Sequence, residues 1–374
     1  MSSSLMPRPA GQLTGAASLA EVLKLIPDPR ARRGIRHQLP GIIAVALAAV
    51  MAGSRSFAAI GQWAGELTGE QLAGLGLARS NAPDVSTFRK VLARVDADIL
   101  DQLAGAFIWT RTRVEGGRQV IAIDGKAVRG ARTATTAAPH LVSALDHATG
   151  TVVGQLATAA KSNEIPAVRT LLAGFDLAGV VVTVDAMHTQ ADTATVITSA
   201  GGDYVFTVKA NQPGLYAACK RLPWREVGEH SAVATGHGRR VRRTIKVVTA
   251  PAWISFPGAA QVAQIRRTTT RAGKKTVEVA YVITSADYRA APPAVLAAWV
   301  QGHWGIENRA HWVRDVTYDE DRSQVRTGSA PQVMATLRNI AISLLRLSGA
   351  TSIAAAIRHH AARPERPVAL FLAS

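Results

Sequence analysis

The sequence predicts an α/β protein built on one mixed sheet, with a helical region before it. Hydrophobic residues recur at helical spacing through about the first 115 residues. From about residue 119, apolar and helical segments alternate in the order β-β-β-α-β-α-β, and residues of about 220 to 290 are again extended. From about residue 293 the pattern is helical. We therefore expect a helical domain at 1–115 and an α/β domain at 116–374, with a β-rich subdomain inserted at about 220–290.

The first region carries clear helix signals. Ser18 and Glu21 have the S-x-x-E spacing of a capping box, and an apolar stripe follows them. Residues 39–53 form the longest apolar run, which is shorter than the roughly 20 residues that a membrane-spanning helix needs. We therefore expect this run to be a buried core helix.

Composition and charge indicate the class of partner. Of the 374 residues, 48% are hydrophobic and 18% are charged, so the chain can bury a sizeable core and is not a disordered one. Lys and Arg number 43 against 26 Asp and Glu, which gives a net charge of +17. Such an excess predicts a polyanionic partner, with nucleic acid as the first candidate and an acidic membrane surface as the second.

Cysteine usage and the first residues bear on the compartment. The single cysteine, Cys219, excludes an internal disulfide and a Cys-rich zinc site, and it fits a reducing compartment. The opening MSSSLMPRPAGQ lacks the charged-then-apolar order of a signal peptide. We therefore expect a cytoplasmic, nucleoid-associated protein.

Three acidic residues stand out by their positions in the pattern. Asp124 lies within the first predicted strand, Asp185 follows the apolar strand VVVTV, and Glu307 lies in a later helical segment. A carboxylate on an apolar strand is costly unless it is paired, hydrogen-bonded or bound to a cation. Because the first and fourth strands of such a sheet lie side by side, Asp124 and Asp185 should converge at one edge, where a glutamate from a later helix can complete the cluster.

An oxygen cluster of this kind suits Mg²⁺ or Mn²⁺ and not zinc or copper. Two such ions, roughly 3.5–4 Å apart, clamp the attacking and leaving oxygens of a phosphoryl displacement. A competing interpretation places zinc on His303, Glu307 and His311, which are spaced i, i+4, i+8. That interpretation leaves Asp124 and Asp185 unexplained.

The sequence also predicts structural roles for an acidic cluster and for several tryptophans. An acidic cluster is predicted to form a solvated turn with the nearby Arg322 and Arg326. Its members are Asp315, Glu320 and Asp321. Several tryptophans are able to stack on an unpaired base, although core packing is expected for any one of them. They are Trp224, Trp253, Trp304 and Trp312.

Several blocks resemble the signature blocks of insertion-sequence DDE transposases of the H-repeat-associated type. The blocks are IAIDGKAVRGA, VVVTVDAMHTQ, VKANQ, KSNEIPA and HWGIENRAHWVRDVTYDEDRSQVRTG, and PDPRARRGIRHQLPGIIAVALAAVMAG is similar to that group's N-terminal associated region. The resemblance covers nearly the whole chain. It implies an RNase H-like catalytic fold with Asp124, Asp185 and Glu307 as the triad that binds two Mg²⁺ or Mn²⁺ ions. The interval between Asp185 and Glu307 is long enough to hold an inserted β subdomain.

The wider family surrounds its glutamate with a Tyr-x2-Arg-x3-Glu-x6-Lys signature. The matching positions here are Val300, His303, Glu307 and Arg314, so only the glutamate is retained and Arg314 keeps the charge. On a continuous helix all four lie on one face. His303 is then expected to contact a phosphate only when it is protonated.

Basic side chains supply the expected DNA contacts. On one extended segment Arg240, Arg242 and Lys246 alternate with Val241, Ile245 and Val247, which places the charges on one face. More cations surround the next turn, at Arg266, Arg267, Arg271, Lys274 and Lys275. Three lysines lie close to the catalytic blocks and are candidates for either phosphate or scaffold contacts: Lys126, Lys161 and Lys209. A solvated helix face is the expectation for Arg89, Lys90 and Arg94, because no helix-turn-helix spacing accompanies them.

The sequence therefore predicts a metal-dependent transposase. It would bind the double-stranded terminal repeats of its element, hydrolyse a phosphodiester at each end and join the freed 3′-hydroxyl to target DNA, without an energy cofactor. Chemistry at two DNA ends implies at least a homodimer. Two alternatives stay open: an inactive or domesticated transposase that only binds DNA, and a nuclease of the same fold that cuts without joining.

Overall fold

The computed structural model describes residues 18–33, 35–112, 117–158, 164–236 and 238–374. Two compact units are present. The first takes in the chain up to residue 115 together with 125–167 and 305–374, and the second takes in 116–124 and 168–304. The division between the units falls inside the first strand of the sheet. The domain boundaries expected from the sequence remain predictions.

Within the described residues, six helices precede the sheet, and all belong to the first unit. They are α1 (Leu19–Lys24), α2 (Leu39–Met51), α3 (Phe57–Gly65), α4 (Gly69–Gly74), α5 (Val85–Leu92) and α6 (Ala97–Arg111). Ser18 Oγ accepts a hydrogen bond from the Glu21 amide at 3.3 Å, so the predicted N-cap is present. Every residue of α2 except Pro40 is buried, which confirms the expected core helix.

The next elements follow in the predicted order along the chain. They are β1 (Gln119–Ala127), β2 (His140–Asp146), β3 (Val152–Thr158), α7 (Glu164–Leu172), β4 (Val180–Val184), α8 (Ala191–Ser199), β5 (Asp203–Val208) and α9 (Pro213–Lys220). In the first unit β2 pairs antiparallel with β3 and lies next to β1, the strand that both units share. The β2–β3 turn ends at Gly150, whose φ of +70° is in the left-handed region that favours glycine.

A large mixed sheet forms the second unit. Besides β1, β4 and β5, it contains β6 (Glu229–Gly236), β7 (Arg239–Thr249), β8 (Gln261–Arg271) and β9 (Lys274–Thr284). Its strand order is β1-β4-β5-β9-β8-β7-β6. The first three of these strands are parallel and the remaining pairings are antiparallel. The four later strands lie in the interval predicted for an inserted subdomain, yet β9 pairs directly with β5. They therefore extend the same sheet.

The rest of the chain is helical, as predicted. It contains α10 (Pro293–His303), α11 (Ala330–Leu347), α12 (Ile353–Ala361) and α13 (Glu365–Leu372). In the second unit α10 covers one face of the sheet, where Leu296 and Trp299 pack with Ile245 and Val282. In the first unit α2 packs against α1, α3 and α11. Within the described ranges, no helix is long and apolar enough to cross a membrane.

Candidate catalytic site

Asp124 and Asp185 occupy corresponding positions on two neighbouring parallel strands, directly after the last paired residues of β1 and β4. In the register of β1 and β4, Ile123 pairs with Val184, and each aspartate is the next residue. Parallel strands present their carboxyl ends at the same edge, so the two carboxylates start from equivalent positions. Both side chains are half-buried, whereas β4 is buried along its whole length. The prediction that the first and fourth strands lie side by side is confirmed.

The turn after β4 is held by polar contacts that fix Asp185. Its Oδ1 accepts the amide of Met187 at 2.9 Å and so caps a single 3₁₀ turn. Asn211 Nδ2 donates to the Ala186 carbonyl at 2.7 Å, and Gln212 Nε2 donates to the Thr189 carbonyl at 2.9 Å. These side chains belong to the VKANQ block, so the block has a structural role that the sequence analysis did not identify.

His303 ends α10 and lies against β4. Its Nδ1 is 3.1 Å from Thr183 Oγ1, and that hydroxyl donates to the Ile121 carbonyl at 3.2 Å. Burial lowers the pKa of His303 to about 4, although the nearby Asp185 opposes the shift. The imidazole is therefore neutral near pH 7, so the protonation that the expected phosphate contact requires is absent at that pH. It connects the last turn of α10 to the strand that carries Asp185.

Glu307 begins a π-helical segment in the first unit. This segment runs over Glu307–His311 and is followed by a second π-helical stretch, Val313–Thr317. His311 Nδ1 lies 3.2 Å from Glu307 Oε2, and the Glu307 side chain is 57% exposed. Its pKa is lowered chiefly by the hydrogen bond to His311, with smaller help from Lys126 and Arg129. Glu307 is therefore an ionised, accessible carboxylate, as a cation ligand must be.

The π-helical winding removes the basis for two spacing arguments. The i, i+4, i+8 zinc set and the single face from Val300 to Arg314 both assumed a continuous α-helix. The α-helix instead ends at His303, and Glu307 pairs with His311 while His303 contacts Thr183.

Arg309 fastens the Glu307 segment to the β2–β3 turn within the first unit. Its guanidinium donates to the His147 carbonyl at 2.9 Å and to the Thr149 carbonyl at 2.8 Å. Arg346 from α11 donates to the carbonyl of Arg309 at 2.6 Å. Planar guanidinium groups suit such paired acceptors. No local sequence pattern marks these arginines, because their acceptors are backbone carbonyls far away along the chain.

Two predicted DNA contacts are engaged in ion pairs instead. Lys126 is 8% exposed, and its Nζ lies 2.5 Å from Asp315 and 3.8 Å from Asp321. Arg314 is fully buried and binds Glu320 through Nε and Nη2 at 3.0 and 2.7 Å. A buried, paired cation cannot bind a phosphate, so the prediction for Arg314 is wrong and Lys126 is not a free contact. The acidic cluster is accordingly not a solvated turn.

The remaining basic candidates differ in their surroundings. Arg240 is exposed, Arg242 pairs with Glu229 at 2.9 Å, and Lys246 Nζ donates to the Trp224 carbonyl at 2.5 Å. Val241 and Ile245 are buried, so the predicted alternation on β7 is confirmed. Lys209 is exposed, as are the three cations of the α5 region, Arg89, Lys90 and Arg94. Lys161 lies outside the described residues.

The tryptophans mostly do not pack in the core. Trp224 is buried and donates its ring N–H to the Cys219 carbonyl at 2.9 Å. Trp253, Trp304 and Trp312 are 54%, 62% and 53% exposed, so the core-packing expectation is wrong for these three.

Comparison with known proteins identifies the family. The family model described as "Transposase DDE domain" matches residues 115–344, and the one described as "DDE_Tnp_1-associated" matches residues 20–108. The chain belongs to this DDE transposase family. Members are DNA-cleaving enzymes that generally use divalent metal ions.

Similar proteins match over most of their length. "Putative protein YbfL" of Escherichia coli K12 is 32% identical, covering 87% of this chain and 90% of that protein. "Putative transposase YncI" of E. coli O157:H7 is 30% identical over 88% and 87%. "H repeat-associated putative transposase YhhI" of E. coli K12 is 31% identical over 87% and 90%. The resemblance to the H-repeat-associated type is thus confirmed.

Among solved structures, the chain is similar to the protein titled "Cryo-EM structure of piggyBac transposase synaptic complex with hairpin DNA (SNHP)". The TM-score is 0.45 and the identity 12%, covering 91% of this chain and 74% of that one.

Proposed function

We propose that this protein cleaves the ends of an insertion sequence and joins them to target DNA, with Asp124, Asp185 and Glu307 as its catalytic carboxylates. The observation that carries the proposal is the parallel register of β1 and β4, which puts two aspartates directly after a paired position. The element order β-β-β-α-β-α-β supports an RNase H-like catalytic fold.

The donor set fits Mg²⁺ or Mn²⁺. Carboxylate oxygens are the ligands these hard cations prefer, and none of the three proposed ligands is a thiolate. One Asp185 oxygen accepts the Met187 amide, which fixes the orientation of the carboxylate. When bound, two such ions would lower the pKa of water and neutralise charge on the phosphate. The chain itself contributes an ionised Glu307, an Asp185 carboxylate held by the Met187 amide, and a neutral His303 that ties α10 to β4.

Duplex DNA is the proposed substrate, both as element ends and as target. The net charge of +17 favours a polyanion, and Lys209 is an exposed cation available to phosphates. A reaction at two DNA ends requires two active sites, so the working complex is proposed to be a homodimer. Phosphoryl transfer of this kind needs positioning and charge stabilisation, and no covalent protein intermediate.

The test compares three neutralised variants on a duplex that carries the inverted repeats flanking the gene. Asp124→Asn, Asp185→Asn and Glu307→Gln should each abolish Mg²⁺-dependent cleavage and leave duplex affinity nearly unchanged. Asp192→Asn is the matched control, because Asp192 is a highly exposed carboxylate on α8. A variant that cleaves at nearly the wild-type rate would remove its residue from the proposal. Nicked ends without joined products would leave only a nuclease.

A further inference from the structure

The outer parts of β7, β8 and β9 align cations directly opposite one another. The register pairs Arg239 with Arg271, and Arg271 with Lys274, so three cations form one row across three strands. Four residues further along β7, Arg243 pairs with Arg267 in a second row. Neighbouring strands lie about 4.8 Å apart, so each row holds like charges as nearest neighbours. We call these five residues the basic strand face.

The basic strand face continues the face of the sheet that α10 covers. Side chains alternate along a strand, so Arg239 and Arg243 lie on the same side of β7 as the buried Val241 and Ile245. Beyond α10 that side is uncovered, and Arg239, Arg271 and Lys274 are exposed. Among the described residues of β6 to β9 the face carries one acid, Glu278, which pairs with Arg267 at 3.2 Å.

This arrangement is unfavourable without a counter-charge. Like charges directly opposite each other on neighbouring strands are destabilising. Burial, followed by the nearby charges of Arg267 and Arg239, lowers the pKa of Arg243. A second copy of this chain carries the same net charge of +17, so overall electrostatics disfavour it as the source of the anions. The chemistry that fits is a regular polyanion.

We infer that the basic strand face binds the phosphate backbone of duplex DNA, an inference that rests on the proposed function. The two rows lie four residues apart on an extended strand, or about 13 Å, so they can contact several phosphates along a duplex. The sequence predicted phosphate contacts for Arg240, Arg242 and Lys246, which lie on the opposite face of β7, and for the cations around the β8–β9 turn without assigning these to a face. The opposite face therefore supplies a matched control.

The experiment compares two triple variants of the full chain. The face variant carries Arg239→Gln, Arg271→Gln and Lys274→Gln, and the control carries Arg240→Gln, Arg242→Gln and Lys275→Gln. Both remove three exposed cations, one each from β7, β8 and β9 in the face variant, and two from β7 and one from β9 in the control. Affinity for a random-sequence duplex is measured from 50 to 200 mM salt. The salt slope is the slope of log K against log salt concentration. Each lost phosphate contact should reduce its magnitude by roughly 0.9, which corresponds to an affinity about eightfold lower at 0.1 M salt than without the loss, taking 1 M salt as the reference.

The face variant should lose slope and affinity, and the control should keep both. A version with Arg239→Lys and Arg271→Lys should keep the wild-type slope, which separates loss of charge from misfolding. An unchanged slope in the face variant, or an equal loss in the control, would overturn the inference. Cleavage is measured in parallel at saturating protein. If the wild type cleaves DNA but the salt slope of the face variant is unchanged, this inference alone is rejected. A wild type that binds but does not cleave, with the slope lost as expected, rejects the proposed function alone.

Discussion

The imidazole of His140 and the carboxylate of Glu164 lie 2.8 Å apart (Nε2 to Oε1), and both are buried against the backbone of Gly125. A Cβ at position 125 would overlap Glu164 Oε1 and come within 2.5 Å of His140 Nε2. Gly125 directly follows Asp124, so this pair supports the strand at the point where it delivers a proposed catalytic carboxylate. Only a residue without a side chain allows that approach.

Gly125→Ala should therefore impair both stability and cleavage. The methyl group has to displace the buried His140 and Glu164 side chains, and overpacking of this kind costs about 1–3 kcal/mol. Urea unfolding gives the stability change, and cleavage should fall because the backbone next to Asp124 has to move. Gly65→Ala is the control, since a Cβ there meets nothing within 4 Å. Equal stability of the two variants would show that the Glu164 side chain moves aside freely.

Glu320 should be a major stabilising residue. It is fully buried between Arg314 and Arg338, at 2.7 and 2.8 Å, and its removal leaves two buried cations without their partner. Glu320→Gln should cost about 3–5 kcal/mol, whereas Glu229→Gln, in an exposed pair with Arg242, should cost no more than about 1 kcal/mol. Chemical denaturation measures both. If the two variants lose similar amounts of unfolding free energy, Glu320 is not a major stabilising residue.

The same residue predicts weakening in acid. Burial alone would raise the pKa of Glu320, but Arg314 and Arg338 outweigh it and lower the pKa from 4.5 to about 2. The stabilisation is therefore complete above pH 4.5 and is lost as pH falls toward 2. The unfolding free energy of the wild type should drop across this window, and that of Glu320→Gln should drop less. If the unfolding free energies of the two proteins fall equally with pH, Glu320 is not the group whose protonation weakens the fold.

Asp101 predicts the opposite pH dependence of stability, between about pH 4 and 7. Burial raises its pKa from 3.8 to about 7, although Thr336, Gln332 and Gln155 donate to it. The folded carboxyl holds a proton that the unfolded chain releases, so stability should fall as pH rises from about 4 to 7, by at most roughly 1.4 kcal/mol per pH unit. Asp101→Asn should flatten this slope in denaturation at pH 5 and 8, and the exposed-site variant Asp192→Asn should not. An unchanged slope would show that Asp101 is ionised when folded.

Metal identity is a further test. Cleavage should require Mg²⁺ or Mn²⁺ and stop with EDTA. Ca²⁺ should support DNA binding and little chemistry, because its looser coordination positions oxygens less well. Zinc as the most effective ion would instead favour a site built on His311 and Glu307, which lie within 3.2 Å of each other.

The sequence by itself determined the strands, most helices and the positions of the acidic residues. Asp124 and Asp185 were identifiable because an aspartate next to an apolar strand is a local pattern, and the adjacency of β1 and β4 follows from the element order. The buried helix α2 was equally local, since an apolar run of its length has one plain outcome in a globular protein.

Only the tertiary structure decided which charges are free. Lys126 and Arg314 look like the exposed lysines and arginines in the sequence, but Asp315 and Glu320 pair with them in the fold. The pairing of β9 with β5 and the cation rows of the basic strand face likewise depend on strand register. An ion pair and a strand register join residues far apart in the chain, and a local pattern does not record which distant partner removes a charge from solvent.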